Sequence, residues 1–329
     1  MTSTMRAIVL GPEGPALARA PVPQVDGARV RVRVQACALN RADLYMAEGR
    51  RHGDAGGPGA VLGLEWAGVV DAVGPDVPAH IRVGQPVMGS GRGAFADYAV
   101  ADWGRVLPLP PGIGDPAAAA ALPIALQTMH DALVTQGRLQ AGQSVLIHGA
   151  STAVGLMALQ IARYLKAGWV GGSSTSQAKR QRLRELGIDL AVDPVAPDWV
   201  QQVLDATGGR GADVVADMLA GPIFNATLAA TAIEGRIVNV GRLAGRTAGF
   251  DFDLHALRRV HYSGVTFRTR TPEQVRLITA RMLRDLGPAL HAGQLRLPLD
   301  RGFALEEGAQ ALAYMQANRH FGKIILRVA

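Results

Sequence analysis

The 329-residue sequence has one cysteine, Cys37, and only three lysines, Lys166, Lys179 and Lys323. A single thiol excludes an intramolecular disulfide and any metal lobe built from several cysteines. Of the 34 cationic residues, 31 are arginine (34 less the three lysines), and they are spread thinly along the chain. Aromatic residues make up 5% and do not alternate with the basic ones. A single-strand nucleic-acid surface needs that alternation, so the net charge of +7 reads as arginine bias and no nucleic-acid partner is expected. No apolar run approaches the ~20 residues that span a bilayer. The opening MTSTMRAIVLG lacks the charged-then-apolar order of a secretory leader. A cytoplasmic protein with no membrane partner is expected.

The length allows two domains, each with its own core. The front is β-leaning: 5–10, 29–36 and 66–73 read as strands, as do 94–100 and 105–109, separated by turns rich in Gly and Pro. From Pro116 alanine-rich helical sequence leads into repeated strand–helix units. Strands are expected near 145–149, 169–172, 190–192, 213–217, 236–240 and 262–267, an alternation that implies a parallel sheet covered by helices. The chain then closes with helix 272–286, strand 295–299, helix 305–316 and strand 323–328.

One stretch carries most of the chemistry. Val145–Gly155, VLIHGASTAVG, is a short apolar strand broken by Gly149, after which apolar residues return at helical spacing (Val154, Leu156, Leu159, Ile161, Ala162, Leu165). Such a strand–turn–helix aims N–H groups and the positive end of the helix dipole at one point, the arrangement that holds a pyrophosphate. Thr152 stands where a central glycine is usual, and its hydroxyl is read as a pyrophosphate contact. His148, inside the strand, reads as a packed core residue. The next strand ends in Ser173-Ser174-Thr175-Ser176, followed by Lys179, Arg180 and Arg182, with no Asp or Glu to hold a ribose 2′-hydroxyl. Hydroxyls beside cations suit a 2′-phosphate, so the expected cofactor is NADPH.

The order of a β-rich front, a nucleotide fold and a returning tail resembles the medium-chain dehydrogenase/reductase superfamily. The matching stretches are ALNRADLY (38–45), GLEWAG (63–68), VGQPVMG (83–89), AAALPIALQT (119–128), VLIHGASTAVG and HFGKIILRV (320–328). The resemblance implies an α/β fold, a Rossmann doubly wound parallel sheet plus a GroES-like β-rich catalytic domain. It divides the chain into a catalytic domain (1–122), an NADPH-binding domain (123–265) and a C-terminal return to the catalytic domain (266–329). Zinc-dependent members carry metal ligands where this chain has Asn40, Leu64 and Ile124. An amide and two aliphatic side chains do not replace thiolate, imidazole or carboxylate, so no metal is expected. What remains resembles the zinc-free branch of quinone oxidoreductases and enoyl reductases.

By that resemblance Asn40 and Tyr45 line the nicotinamide pocket, Asn40 as an amide holding cofactor or substrate and Tyr45 as a phenol donor. Asp43 organises the local turn or pairs with an arginine. Thr128, Ser151, Thr152, Ala153 and Val154, then Ser173, Ser174, Ser176 and Lys179, then Gly241, Arg242 and Leu243, and finally Thr266, Phe267, Arg268, Asn318 and Lys323 are implied cofactor contacts. Arg51 and His52 replace a phenolic wall; they hold an anionic substrate or face solvent. The implied activity is NADPH-dependent, zinc-independent hydride delivery to a quinone or enone, by a homodimer joined through the Tyr262–Phe267 strand edge and acting on a small-molecule substrate. Two alternatives stay open: a biosynthetic enoyl reductase with a specialised substrate, and an NADPH-binding sensor or structural or RNA-binding protein with little turnover.

Overall fold

The computed structural model describes residues 3–328. The chain forms two compact units, Met1–Ile124 together with Phe267–Ala329, and Ala125–Thr266. The first unit opens with a hairpin, β1 (Thr4–Gly11) and β2 (Gly14–Pro21), paired along its whole length. The strand β2, GPALARAP, has no β-branched residue, so nothing in its composition announces it; pairing with β1 imposes it. In β3 (Arg29–Ala38) the alternation RVRVRV buries Val30, Val32 and Val34 and leaves Arg29 and Arg33 exposed. Helix α1 (Arg41–Ala47) and a two-residue hairpin, β4 (Arg51–His52) with β5 (Ala55–Gly56), follow. Then come β6 (Glu65–Val73), β7 (Pro86–Ser90), β8 (Tyr98–Asp102), β9 (Val106–Pro108) and the short helix α2 (Pro116–Ala120). The strand expected at 94–100 begins only at Tyr98, while Ala94, Phe95 and Ala96 are buried in the core ahead of it.

Helix α3 (Pro123–His130) runs on through a wider π-type turn over Asp131–Gln136. The continuous stretch Pro116–Gln136 is long and apolar enough to cross a membrane by length and composition, which corrects the reading that no such stretch exists. It is mostly buried inside the protein, as a core helix is.

The second unit alternates strand and helix: β10 (Ser144–His148), α4 (Ala153–Tyr164), β11 (Trp169–Ser173), α5 (Gln177–Glu185), β12 (Leu190–Val192), α6 (Trp199–Ala206), β13 (Ala212–Asp217), α7 (Phe224–Ala230), β14 (Thr231–Asn239), α8 (Phe252–Arg258) and β15 (His261–Gly264). The six strands are parallel in the order β12-β11-β10-β13-β14-β15. This is the doubly wound order, with its reversal between β10 and β13, where the crevice beyond the strand ends takes a ligand. The edge strand β15 stops at Gly264, short of the expected Phe267.

The chain then returns to the first unit through α9 (Pro272–His291), β16 (Leu299–Ala304), α10 (Gly308–Gln316) and β17 (Lys323–Arg327). The strand expected at 295–299 starts instead at Leu299, because Pro298 offers no N–H to a ladder. Strand β17 inserts between β16 and β3, completing the order β16-β17-β3-β6-β7-β9, with β8 also paired to β3. The insertion sets the start of β17, the end of β3 and the start of β6 side by side.

Candidate functional site

In the second unit, β10 is buried along its length and breaks at Gly149, whose φ of +72° favours glycine. Thr152 caps α4: its Oγ1 accepts the Gly155 N–H at 3.1 Å and donates to the Gly149 carbonyl at 2.8 Å. Its hydrogen is used within the turn, so Thr152 shapes the cradle as a cap, and of its hydroxyl the oxygen alone is left for the expected pyrophosphate contact. A Cβ on Gly155 would lie 2.5 Å from the Gly149 carbonyl oxygen and 2.6 Å from the Ala150 Cα. Only glycine lets α4 start this close to the turn. The first-turn N–H groups of Ala153 and Val154 belong to the end that a helix leaves without internal partners.

At the end of β11 the hydroxyls divide. Ser173 is fully buried and turned inward, its Oγ 3.0 Å from His148 Nδ1 and 3.2 Å from the Gly149 N–H that it accepts. It is therefore not a side chain that meets a 2′-phosphate, contrary to expectation. Ser174 shares a 3.1 Å hydrogen bond with Ser151, and Ser176 caps α5 by accepting the Lys179 N–H. Arg180 is held by Asp193 at 2.9 Å and by the Ser174 carbonyl at 2.7 Å. Thr175 is exposed, Ser174 is buried, and Ser176 and Lys179 are half-buried. Beyond β13, Asp217 accepts the Leu219 and Ala220 N–H groups, while the Gly241 and Leu243 N–H groups bond to the carbonyls of Asp217 and Met218. A Cβ on Gly241 would lie 2.7 Å from the Met218 carbonyl oxygen, so that loop hugs the sheet end, with Arg242 half-buried and Leu243 exposed. Thr128 lies half-buried on α3.

The first unit holds a polar cluster that sequence reasoning missed. Lys323, at the head of β17, is 2% exposed, and its Nζ donates to Glu65 Oε1, to Asn40 Oδ1 at 2.8 Å and to the Leu39 carbonyl at 3.3 Å. Glu65 accepts further bonds from Asn40 Nδ2 at 2.8 Å and from the Ile124 N–H at 3.0 Å. Burial pushes the Glu65 carboxyl up, and Lys323, the Ile124 N–H and the Asn40 amide pull it back. The signal for the pair was a lone Glu and a lone Lys, each opening an apolar strand. Two expectations fall with it. Asn40 offers no free amide hydrogen, since both Nδ2 hydrogens are directed at Glu65 and the Ala38 carbonyl. Lys323 is enclosed by protein acceptors and does not project as a cofactor contact.

Asp43 pairs with no arginine; its Oδ2 accepts the Asn40 N–H at 2.6 Å, and burial raises its pKa to about 8. Tyr45 is half-buried with the Arg50 guanidinium 5.9 Å above its ring. Arg51 is exposed, whereas His52 is half-buried, with its pKa lowered by burial and then by the Arg268 charge. Gly53 abuts the Arg268 backbone. Arg270 covers Phe267 at 5.8 Å, and Asn318 accepts a hydrogen bond from Arg41 at 2.9 Å.

Two family models match the chain: the alcohol dehydrogenase GroES-like domain over residues 26–111 and the zinc-binding dehydrogenase over residues 153–283. The chain belongs to the medium-chain dehydrogenase/reductase superfamily. Its members are nicotinamide-dependent oxidoreductases. Among curated relatives, erythronolide synthase EryA2 of Saccharopolyspora erythraea is 36% identical over 313 residues, 93% of this chain and 8% of the relative. A mycocerosic acid synthase-like polyketide synthase of Mycolicibacterium smegmatis is 32% identical over 305 residues, 91% of this chain and 14% of the relative. The chain thus spans a small part of the length of these relatives. Among solved structures, an alcohol dehydrogenase superfamily protein from Novosphingobium aromaticivorans superposes with a TM-score of 0.88 at 29% identity over 99% of this chain and 100% of that one. A mycobacterial quinone oxidoreductase superposes with a TM-score of 0.85 at 25% identity over 98% and 99%.

One matching family model is named for zinc, but the residues here do not fit that ion. Asn40, Leu64 and Ile124 occupy the ligand positions, the neighbouring Glu65 carboxylate is already bonded to three donors, and one of those donors is the Lys323 ammonium, which repels a second cation. Among the described residues no group of three or more His, Cys, Asp or Glu side chains is arranged to hold a metal.

The pair yields two predictions. Lys323→Met leaves a buried Glu65 carboxylate unpaired and should lower the unfolding free energy by about 3–5 kcal/mol in urea melts. Lys323→Met combined with Glu65→Gln should recover at least half of that loss; no recovery would mean that Lys323 acts through packing alone. For Asp43, a carboxyl raised from 3.8 to about 8 on folding favours the folded state while protonated. That contribution is full below about pH 4 and is lost as pH rises through 8. Between pH 5 and 8, Asp43→Asn should therefore show a shallower fall in stability than the wild type, read from urea melts at each pH.

Proposed function

We propose that the chain is an NADPH-dependent reductase of a C=C bond conjugated to a carbonyl, of the biosynthetic enoyl thioester type, working without zinc. The observation that carries the reading is the match of 93% of the chain to a segment making up 8% of a synthase, repeated in a polyketide synthase. The proposed substrate is a thioester-bound chain, and conjugate reduction is the hydride chemistry that a metal-free site manages. The negative charge generated spreads onto the thioester oxygen, where a hydrogen-bond donor suffices. NADPH, when bound, supplies the hydride to the β-carbon.

The chain's own residues divide the remaining work. Gly149, Gly155 and the α4 N-terminus form the pyrophosphate cradle, with Ser151, Ala153 and Val154 around it. Ser174, Ser176 and Lys179 favour a 2′-phosphate: they supply hydroxyls and a cation at the end of β11, and the neighbouring Asp193 carboxylate is paired with Arg180. Gly241, Arg242 and Leu243 line the neighbouring strand end. Tyr45 is the proposed proton donor to the enolate. The proposed setting is the cytoplasm.

Quinone reduction is the second reading, favoured by the superposition on a mycobacterial quinone oxidoreductase. Oxidation of NADPH followed at 340 nm with crotonyl thioesters and, separately, with 9,10-phenanthrenequinone decides between them. The enoyl reading predicts turnover of the thioester at least tenfold faster in kcat/KM than that of the quinone. The reverse order would make the chain a quinone reductase, and binding without oxidation of NADPH would remove both. Two copies are proposed to join through the open β15 edge, where Tyr262 is half exposed. Light scattering should then give twice the 34.5 kDa chain mass; a monomer mass would contradict this.

A further inference from the structure

His148 is fully buried at the end of β10, edge-on to Trp199 with ring centroids 5.2 Å apart. Both of its nitrogens are engaged. Nδ1 lies 3.0 Å from Ser173 Oγ, and Nε2 lies 3.1 Å from Thr227 Oγ1 on α7. The two hydroxyls have one further partner each. Ser173 Oγ accepts the Gly149 N–H at 3.2 Å, and Thr227 Oγ1 donates to the Ile223 carbonyl at 3.1 Å, four residues back along the chain.

A carbonyl only accepts, so the Thr227 hydrogen goes to Ile223, and Thr227 Oγ1 must accept from His148. That places the imidazole proton on Nε2 and leaves Nδ1 as an acceptor. Among the described residues the acceptor in reach of the Ser173 hydroxyl hydrogen is then Nδ1, and the Ser173 oxygen accepts from Gly149. Every hydrogen in the chain has one acceptor: Gly149 N–H to Ser173, Ser173 O–H to His148, His148 Nε2–H to Thr227, Thr227 O–H to Ile223. The other tautomer leaves the Ser173 hydroxyl without an acceptor and the Thr227–Ile223 contact without a hydrogen. An imidazolium likewise strands the Ser173 hydrogen. Burial disfavours the charged ring in any case and outweighs the opposing effect of Asp217.

We infer that His148 is a positioning residue for the dinucleotide turn: as a neutral imidazole protonated on Nε2 it orients Ser173, which in turn holds the Gly149 N–H and sets the turn ahead of α4. The inference rests on the dinucleotide reading of that turn. It accounts for the inward direction of Ser173 at the end of β11. It also assigns cofactor affinity to residues that never touch the cofactor.

The test has two arms. In 15N-labelled protein, whose eight histidines are assigned against His148→Gln, His148 should show a pyrrole-type Nε2 and a pyridine-type Nδ1, unchanged from pH 5 to 8. A protonated Nδ1, or a ring that titrates in that window, would overturn the assignment. This arm needs no cofactor and stands even if NADPH does not bind. In the second arm, NADPH affinity is read by fluorescence titration. Ser173→Ala and His148→Phe should each weaken NADPH about five- to tenfold, the worth of one hydrogen bond in a buried network. The double variant should weaken it no further than the worse single variant. Losses that multiply would mean that His148 acts independently of Ser173. Unchanged affinity in folded Ser173→Ala would make the chain of bonds purely structural. His148→Gln, which retains a donor and an acceptor, should recover part of the affinity lost in His148→Phe.

Discussion

The first unit depends on one buried charge pair. Lys323 and Glu65 have almost no access to water, and burying either ion alone would cost several kcal/mol. Their partners make the pair tenable: the Asn40 amide bonds to both ions, the Ile124 N–H reaches the carboxylate and the Leu39 carbonyl reaches the ammonium. These groups come from the end of β3, the start of β6, the start of α3 and the head of β17. A strand contributed by the last residues of the chain is thereby fixed into a sheet begun near residue 30. The same pair does not suit a metal, because the Lys323 ammonium already occupies the Glu65 carboxylate and repels a second cation.

The second unit is governed by close approach. Gly155 brings α4 within van der Waals reach of the β10 turn, Gly241 brings the loop after β14 onto the end of β13, and Thr152 fastens the turn internally. What remains presented at the sheet end is small side chains and backbone, the surface a pyrophosphate needs. Ala220, with φ +51° and ψ −148°, holds a conformation that ordinarily belongs to glycine, and Asp217 secures it by accepting its N–H.

Much of this was legible in the sequence. The alternation RVRVRV, the strand–glycine–helix of 145–155 and the repeated βα units each follow from one residue's preference or a short period, and the family motifs supplied their arrangement. Strand β2 was not legible, because its residues are poor strand formers and only β1 makes them one. The start of β16 at Leu299 is set by Pro298, which has no N–H for a ladder. At the site, residue type was legible in the sequence but side-chain direction was not. A serine at the end of β11 looks like a phosphate ligand whichever way it points, and Ser173 points inward, to His148 Nδ1. Asn40 and Lys323 stood out as polar residues in apolar surroundings. Their partner Glu65, 258 residues from Lys323 in sequence, is what turned them from cofactor contacts into a buried strut.

The proposed activity requires a 2′-phosphorylated dinucleotide bound without a metal. Isothermal titration of EDTA-treated protein with NADPH and with NADH tests it most directly, repeated with Lys179→Ala. NADPH is predicted to bind at least tenfold tighter than NADH with the chelator present, and Lys179→Ala should narrow that gap by weakening NADPH alone. Equal affinity for the two cofactors, or binding that disappears once metal is removed, would contradict the account.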